Sequence, residues 1–368
     1  MRVYKYSPVM AFVLLLFGSC KKDAVSINNN NDDKELLQKD ATVPDNFGLK
    51  INFSAYGYPK FNGGHLWTGN STFLIAAESD IIEADFNKKT LTDIAPKSGG
   101  LLLGLTGDKN AVVFAGRLNN GSGFYTYALP QGPFNFIGSL SNNESGNAIA
   151  FANKVLYYKG TSPPQQPCDG FCIPLPGTGL IDAHLFCIDM MTQSKTDLGD
   201  LYPVKFSDGG KYALINSTDW SGQSYILDMN SLHIIDSFPT QTSGSNLIWK
   251  DDLLILSSDV ISSPGKIEIT NVKTNEVKES YESETMLIDS KFFLSSDDDI
   301  IIYTGPCLGS DCAYAIWTLN RITGEQKKIV YTSAGSFQTS PFEEVSISPD
   351  HKKVVFRYIN DLYLKELQ

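Results

Sequence analysis

The chain has 368 residues, of which 42% are hydrophobic and 11% aromatic, and its formal net charge is −11. This composition suits a folded domain with a sizeable core, while the acidic balance argues against nucleic-acid binding, which needs a basic face. The four histidines are His65, His184, His233 and His351. They fall in different segments of the chain, so we expect no metal site and no metal cofactor.

Residues 1–19 have the pattern of a secretory signal peptide. A basic start precedes the apolar run Val9–Phe17, and two small residues then lead into Cys20. A retained transmembrane helix is the alternative, but the apolar run has about half of the roughly 20 residues that cross a bilayer. The pattern therefore predicts an exported protein whose first segment is removed.

The stretch LLLFGSCKKD, residues 14–23, resembles the lipobox of bacterial lipoproteins, although Phe17 stands where that family has an aliphatic residue. In the family the cysteine is lipidated and becomes the first residue of the mature chain, so the resemblance implies a lipid anchor on Cys20. Lys21 stands where an aspartate would retain a lipoprotein at the inner membrane. The resemblance therefore implies the outer membrane, with the domain facing the periplasm or the cell surface.

Residues 20–46 follow as a polar segment rich in Asn, Asp and Lys. They contain too few apolar residues to offset the entropy cost of ordering, so we predict a lipidated cysteine and a flexible tether. The acidic charge also disfavours a second grip on anionic lipid. We expect residues 47–368 to form the folded domain, as a monomer held by the lipid alone.

An apolar run, a polar turn and a second apolar run recur along the folded part. The turns centre near Asn70, Asp108, Asn153, Asp208, Asp251, Asp298 and Asp350. Most of these hairpins precede an alternating strand that ends in Asp or Asn, a polar turn and another short strand. Four-stranded units of about 40 to 45 residues are typical of β-propellers. The sequence predicts an all-β propeller, with seven four-stranded blades favoured over six or eight.

The last unit, residues 346–366, holds only three strands. The run FGLKINFSAYGY, residues 47–58, precedes the first unit and belongs to none. An open ring would leave long unpaired strand edges. We therefore predict that the run at 47–58 supplies the fourth strand of the last blade and closes the ring.

The segments SPDHKKVVF (residues 348–356) and FSDGGKYALI (residues 206–215) resemble the hairpin of TolB-like or WD40-like propellers, whose pattern is Ser-Pro-Asp-Gly-Lys. His351 stands where that family prefers glycine. The resemblance implies the propeller fold. It implies no single function, because propellers include both enzymes and binding platforms.

The strands that come third in each unit end in a polar residue with a short side chain. These residues are Asp85, Asp189, Asp228, Asn271 and Asn320. Side chains of this type accept hydrogen bonds from the backbone N–H groups that follow them. We predict that they cap the turn to the fourth strand and have no catalytic role.

The cysteines beyond Cys20 form two close pairs and one single residue. Cys168 and Cys172 are four apart, and Cys307 and Cys312 are five apart. In an exported protein this spacing predicts two local disulfides. Zinc is the alternative, but it would need both pairs to converge in a reducing compartment. Cys187 lies in an alternating run and is predicted to be a buried strand residue.

No catalytic motif is present: the chain has no Gly-x-Ser-x-Gly elbow, no His-Glu-x-x-His and no phosphate-binding loop. The extended loops between second and third strands are the candidate binding elements, because rigid scaffolds carry recognition on their loops. The residues selected are Trp220 and Asp219 in blade 4, with Asp169 and Phe171 in blade 3.

Two functional classes remain open. The first is a binding or scaffold platform for a glycan, a peptide or an envelope protein. The second is a hydrolase or lyase whose residues converge from separate blades at the channel mouth.

Overall fold

The computed structural model describes residues 35–367 with internal gaps. The residues not described are 1–34, 59–64, 78–79, 96–100, 107–109, 119–120, 130–131, 141–143, 146–147, 162–180, 208–209, 219–222, 240–246, 250–253, 260–264, 272, 284–290, 295–298, 308–311, 334–339 and 368. The predicted signal peptide and Cys20 therefore lie outside the described residues.

The described chain is built from short antiparallel strands, with 3-10 turns at Asp45–Phe47 and Ser54–Tyr56. Two strands, β1 (Leu37–Gln38) and β2 (Leu49–Ile51), precede the first blade. Blade 1 contains β3 (His65–Trp67), β4 (Thr72–Ala77), β5 (Asp80–Asp85) and β6 (Thr90–Ala95). Blade 2 contains β7 (Leu101–Leu105), β8 (Ala111–Leu118), β9 (Gly121–Ala128) and β10 (Phe134–Ser139).

The remaining blades repeat this order. Blade 3 contains β11 (Glu144–Ser145), β12 (Ala148–Phe151), β13 (Lys154–Thr161), β14 (Ile181–Asp189) and β15 (Lys195–Asp197). Blade 4 contains β16 (Leu201–Phe206), β17 (Tyr212–Ser217), β18 (Gln223–Asp228) and β19 (His233–Pro239). Blade 5 contains β20 (Leu247–Trp249), β21 (Leu254–Asp259), β22 (Gly265–Asn271) and β23 (Glu276–Ser283). Blade 6 contains β24 (Lys291–Leu294), β25 (Ile300–Pro306), β26 (Tyr314–Asn320) and β27 (Gln326–Tyr331). Blade 7 contains β28 (Phe342–Ile347), β29 (Lys353–Tyr358) and β30 (Asp361–Glu366).

The described strands form seven separate antiparallel sheets, which confirms the predicted all-β propeller and its favoured blade count. Each predicted hairpin turn joins the first and second strands of one sheet, except in blade 3, where it joins β12 to β13. Blade 3 has one strand more than predicted. The extra strand β11 pairs with the C-terminal end of β13, and β12 pairs with its N-terminal half.

The ring is closed as the sequence predicts. In blade 7, β2 pairs antiparallel with β30, with Leu49 opposite Leu364 and Lys50 opposite Tyr363. The N-terminal strand therefore completes a sheet whose other strands come from the C-terminus. The closing strand itself is shorter than the predicted run, since only Leu49–Ile51 is extended and 3-10 turns flank it.

The compact unit begins at Glu35, within the segment 20–46 whose composition favours a tether. Leu36 is fully buried against blades 7 and 1, and β1 adds a fifth strand to blade 7 through the pair Leu37 and Ile51. The polar composition of this segment does not indicate its few buried apolar residues.

The hydrophobic core is divided among the spaces between neighbouring blades. Between blades 3 and 4 the buried cluster comprises Leu156, Leu185, Cys187, Phe206, Ala213, Ile215, Leu227 and Met229. Burying a large apolar side chain stabilises a fold by about 1.5–3 kcal/mol. Each blade thus depends on its neighbour for the burial of one face, which explains why the ring must close.

The turns between third and fourth strands follow one design. Asp85, Asp189, Asp228, Asn271 and Asn320 each accept the backbone N–H groups two and three residues ahead, at 2.8 to 3.2 Å. The residue four positions ahead of each has a positive φ, between 54° and 71°. The predicted capping role is confirmed.

The two hairpins that resemble those of TolB-like propellers have a left-handed residue where that family prefers glycine. In blade 4, Gly210 has φ +70° and donates its N–H to the Ser207 carbonyl at 2.9 Å. His351 occupies the matching place in blade 7, with φ +56° and the same bond to Ser348. The family's glycine suits a left-handed residue, and here histidine adopts that conformation at some cost.

Candidate functional site

The upper face of the ring is the end where second strands finish and third strands begin. The connections between blades lie on this same face, whereas the hairpin turns already described lie on the lower one. The predicted site residues belong to the upper connections of blades 3 and 4: Asp169 and Phe171 between β13 and β14, Trp220 and Asp219 between β17 and β18. All four lie outside the described residues. The strands that flank these two loops are described.

Two tyrosines meet at the upper end of the interface between blades 3 and 4. Tyr158 is near the upper end of β13, and Tyr202 is at the start of β16, the innermost strand of blade 4. Their ring centroids are 5.3 Å apart at an interplanar angle of 67°, and both side chains are partly exposed. Edge-to-face packing of this kind holds aromatic rings in fixed orientations.

An ordinary tyrosine is protonated at neutral pH, and burial of the two phenols reinforces this. Burial raises the pKa of Tyr158, to which the negative charge of Asp200 adds. It also raises the pKa of Tyr202, with Tyr158 as the second cause. At neutral pH both hydroxyl groups therefore carry a proton and can donate hydrogen bonds.

His184 lies between two carboxylates near the start of β14, on the face of the blade 3 sheet opposite to Tyr158. Its Nδ1 is 2.9 Å from Asp197 Oδ2, and its Nε2 is 3.4 Å from Asp200 Oδ1. The bond from His184, followed by that from the Gly199 N–H, lowers the pKa of Asp197. One nitrogen of the neutral His184 ring can donate to a carboxylate, and both can do so when the ring is protonated.

Asp200 connects this cluster to the next upper loop. Its backbone carbonyl accepts bonds from the Thr218 N–H at 3.3 Å and the Thr218 hydroxyl at 3.1 Å. Thr218 is the residue immediately before Asp219 and Trp220. The start of the predicted binding loop is therefore fixed to the connection between blades 3 and 4. We call Tyr158, Tyr202, His184, Asp197 and Asp200 the blade 3–4 cluster.

This cluster has the chemistry of recognition. It offers aromatic surface, neutral hydroxyl donors and carboxylate acceptors, and it contains no serine or cysteine nucleophile next to a base. No group of three or more potential metal ligands occurs among the described residues.

A second polar group lies at the innermost part of the interface between blades 7 and 1. Arg357 bonds to Glu343, and its Nη2 is 3.1 Å from Glu344 Oε1. The His65 Nδ1 is 3.6 Å from Glu344 Oε2. Glu344 has φ +50° at an irregularity of β28, and unusual backbone of this kind is common near functional sites. We call these four residues the ring-closure cluster.

The cysteines separate into one bridge and one buried thiol in the described part of the chain. Cys307 and Cys312 form a disulfide with Cα atoms 5.6 Å apart. Cys187 is free and 2% exposed, and burial raises the pKa of its thiol to about 11. Cys168 and Cys172 lie outside the described residues, so their pairing stays a prediction.

Neither cluster was selected from the sequence. Tyr158 and His184 stand on neighbouring strands of blade 3 and Tyr202 stands in blade 4, so the contact between the two tyrosines arises only from the packing of blade 3 on blade 4. The one available signal was the pair of tyrosines in VLYYKG, residues 155–160, directly before the longest loop. The ring-closure cluster joins residues almost three hundred positions apart and left no local signature.

Comparisons with known proteins support the fold. No protein-family model matches the chain, and no curated protein matches it. An oligogalacturonate lyase in complex with manganese aligns at 16% identity and a TM-score of 0.57, over 84% of this chain and 89% of that one. An oligogalacturonate lyase from Vibrio parahaemolyticus aligns at 12% identity and a TM-score of 0.57, over 84% and 90%. A chain of the mitotic checkpoint complex aligns at 10% identity and a TM-score of 0.51, over 84% and 93%.

At these identities the likeness shows the β-propeller fold alone. A TolB structure from Acinetobacter baumannii aligns at 14% identity over 86% of this chain and 67% of that one, and its TM-score of 0.39 is too low to carry an argument. The neighbours include a lyase and a checkpoint assembly, so one fold serves unrelated roles. Among the described residues no helix is long and apolar enough to cross a membrane.

Proposed function

We propose that this protein is a non-catalytic binding module of the cell envelope, whose ligand meets the upper face over blades 3 and 4. The observation that supports this proposal is the blade 3–4 cluster. It holds two partly exposed aromatic rings at the bases of the two loops that the sequence selects for binding. The ligand classes are a glycan, a peptide or a partner protein.

The envelope location rests on the N-terminal pattern of residues 1–20. A lipid on Cys20 and a tether that ends before Glu35 would hold a rigid ring near the outer membrane, on its periplasmic or outer side. Metabolic labelling with a fatty acid should mark the wild-type protein and the Cys187→Ala control, but not Cys20→Ala. Labelling that persists in Cys20→Ala would overturn the anchor.

The binding role is tested with the chain from Lys21 onward, which lacks only the predicted signal peptide and anchor. Pull-down from envelope fractions and a glycan array would be run with Trp220→Ala and with Trp220→Phe, which keeps an aromatic ring. We expect binding to fall several-fold in the first variant and to persist in the second. Unchanged affinity in Trp220→Ala would show that the binding face is assigned wrongly.

An enzyme at the channel mouth is the second candidate, and the ring-closure cluster is the observation that favours it. The left-handed backbone of Glu344 and the nearby His65 resemble the strained, closely spaced acid and base groups of active sites. Turnover of a polysaccharide that is lost in Glu344→Gln but retained in Trp220→Ala would support the enzyme and overturn the binding module.

A further inference from the structure

The blade 3–4 cluster contains information about the charge of its ligand. Its two carboxylates, Asp197 and Asp200, are partly and largely exposed. The His184 ring faces both of them, and Lys195 adds a favourable charge to Asp197. His184, Asp197 and Lys195 lie on the Phe186 face of the blade 3 sheet, which packs toward blade 2, so Asp200 is the charged residue of the cluster that acts on the aromatic pair. Its carboxylate can accept hydrogen bonds from ligand hydroxyl groups, and it repels anions.

The hydroxyl and amide groups described at the aromatic pair are neutral. Tyr158 and Tyr202 keep their protons at neutral pH. Tyr202 is opposite the partly exposed Asn216 on β17, whose Oδ1 accepts a hydrogen bond of 2.8 Å from the hydroxyl of the fully buried Ser224. Hydroxyl and amide groups exchange hydrogen bonds with ligand hydroxyls, since both partners can donate and accept.

The aromatic pair provides a surface of defined shape. The interplanar angle of 67° sets the two rings nearly at right angles, so together they form a corner. Aromatic faces attract apolar C–H surface, and each tyrosine carries a hydroxyl group on its edge. A ring-shaped ligand with C–H groups on one face and hydroxyl groups on its rim matches this arrangement.

We propose that the blade 3–4 cluster binds a neutral saccharide, which stacks on the Tyr158–Tyr202 corner and bonds through its hydroxyl groups to the neighbouring polar side chains. This inference rests on the proposed function and narrows its ligand class. An anionic polysaccharide would be repelled by Asp200, and a basic peptide would need more acidic contacts than this one carboxylate offers among the described residues.

The experiment uses the chain from Lys21 onward on an array of neutral glucans, xylans, mannans and galactans, with polygalacturonate as the anionic counterpart. Tyr158→Ala and Tyr202→Ala should each weaken binding about five-fold, the loss expected from one aromatic contact. Tyr202→Phe keeps the ring and should lose less than Tyr202→Ala. Tyr331→Ala on β27 removes a partly exposed tyrosine from blade 6 and should have no effect.

Salt dependence separates neutral from charged ligands. Affinity for a neutral saccharide should change less than about two-fold between roughly 50 and 500 mM NaCl, because screening acts on charges. Preference for polygalacturonate, a strong salt dependence, unchanged binding in both alanine variants, or no binding to any neutral glycan would each overturn the saccharide assignment.

These outcomes are distinct from failure of the proposed function. If a peptide or protein binds and Trp220→Ala weakens it, the binding module stands and the saccharide fails. If a neutral saccharide binds but neither tyrosine variant nor Trp220→Ala alters its affinity, both the saccharide site and the assigned face fail. Thermal melting of each variant shows whether a loss of binding reflects unfolding.

Discussion

The ring of Phe47 packs edge-on against the ring of Tyr363, with centroids 5.5 Å apart and an interplanar angle of 89°. The two residues come from opposite ends of the described chain. Phe47 also contacts Phe342, Phe356 and Tyr358 from the remaining strands of blade 7. The closure of the ring therefore rests on a buried aromatic cluster as well as on strand pairing.

Phe47→Ala should be strongly destabilising. The side chain is fully buried, and removing a buried phenylalanine commonly costs about 3–5 kcal/mol. Leu49→Ala is the matched control, because Leu49 lies two residues away on β2 and is 39% exposed. Chemical denaturation of both variants measures the difference. Equal losses of stability would mean that the aromatic cluster does not hold the closing strand.

Gly210→Ala should destabilise more than Gly324→Ala. Both glycines have a positive φ, +70° and +71°, so an alanine carries the same backbone strain at either site. A Cβ at Gly210 would overlap the ring of Phe151 from blade 3, whereas nothing lies within 4 Å of one at Gly324. Melting temperatures of the two variants compare the clash directly. Similar melting temperatures would show that the Phe151 ring moves aside without loss of stability.

The propeller should lose stability in acid when Asp189 becomes protonated. The backbone N–H of Thr192 is the largest of the causes that lower the pKa of Asp189 from 3.8 to about 2. A carboxylate with a lowered folded-state pKa contributes stability above its unfolded pKa, and that contribution disappears as the pH falls toward about 2. Solvent screening limits it to roughly 1 kcal/mol.

Asp189→Asn tests this contribution, because Asn271 and Asn320 cap the same turn in blades 5 and 6. The variant should retain most of its stability at pH 7. Its free energy of unfolding should then fall less than that of the wild type between about pH 5 and pH 2. Asn271→Asp is the reverse substitution and should steepen that decline. Denaturation curves at several pH values measure both, and identical pH profiles would contradict the assignment.

The sequence predicted the architecture because the fold repeats. Each unit places a polar turn between apolar runs, and the turn residues at 85, 189, 228, 271 and 320 recur with the same capping geometry. Closure followed from one missing strand. Composition does not locate the start of the compact unit, because Leu36 is a buried anchor within a polar segment.

The candidate site was not predictable in the same way. Tyr158 and Tyr202 belong to adjacent blades, and their contact depends on the angle at which one sheet packs on the next. Composition identified the loops on this face but not the side chains at their bases. The ring-closure cluster depends further on the left-handed backbone of Glu344, which no local pattern marks.

The thiols provide a final prediction. Cys187 is buried and its pKa is raised to about 11, so it should remain unlabelled by a thiol reagent at pH 8 in the folded protein. In the chain from Lys21 onward, denaturation without a reductant should expose Cys187 alone, because Cys307 and Cys312 are bridged and Cys168 and Cys172 are predicted to be.

Alkylation followed by mass spectrometry identifies each labelled cysteine, and Cys187→Ala should abolish the label that appears on unfolding. The bridge at 307–312 closes a very short loop, so it constrains the unfolded chain little. Its reduction should therefore lower stability by about 2 kcal/mol or less. Labelling of Cys307 or Cys312 before reduction would contradict the bridge, and labelling of Cys187 in the folded protein would show that blades 3 and 4 separate in solution.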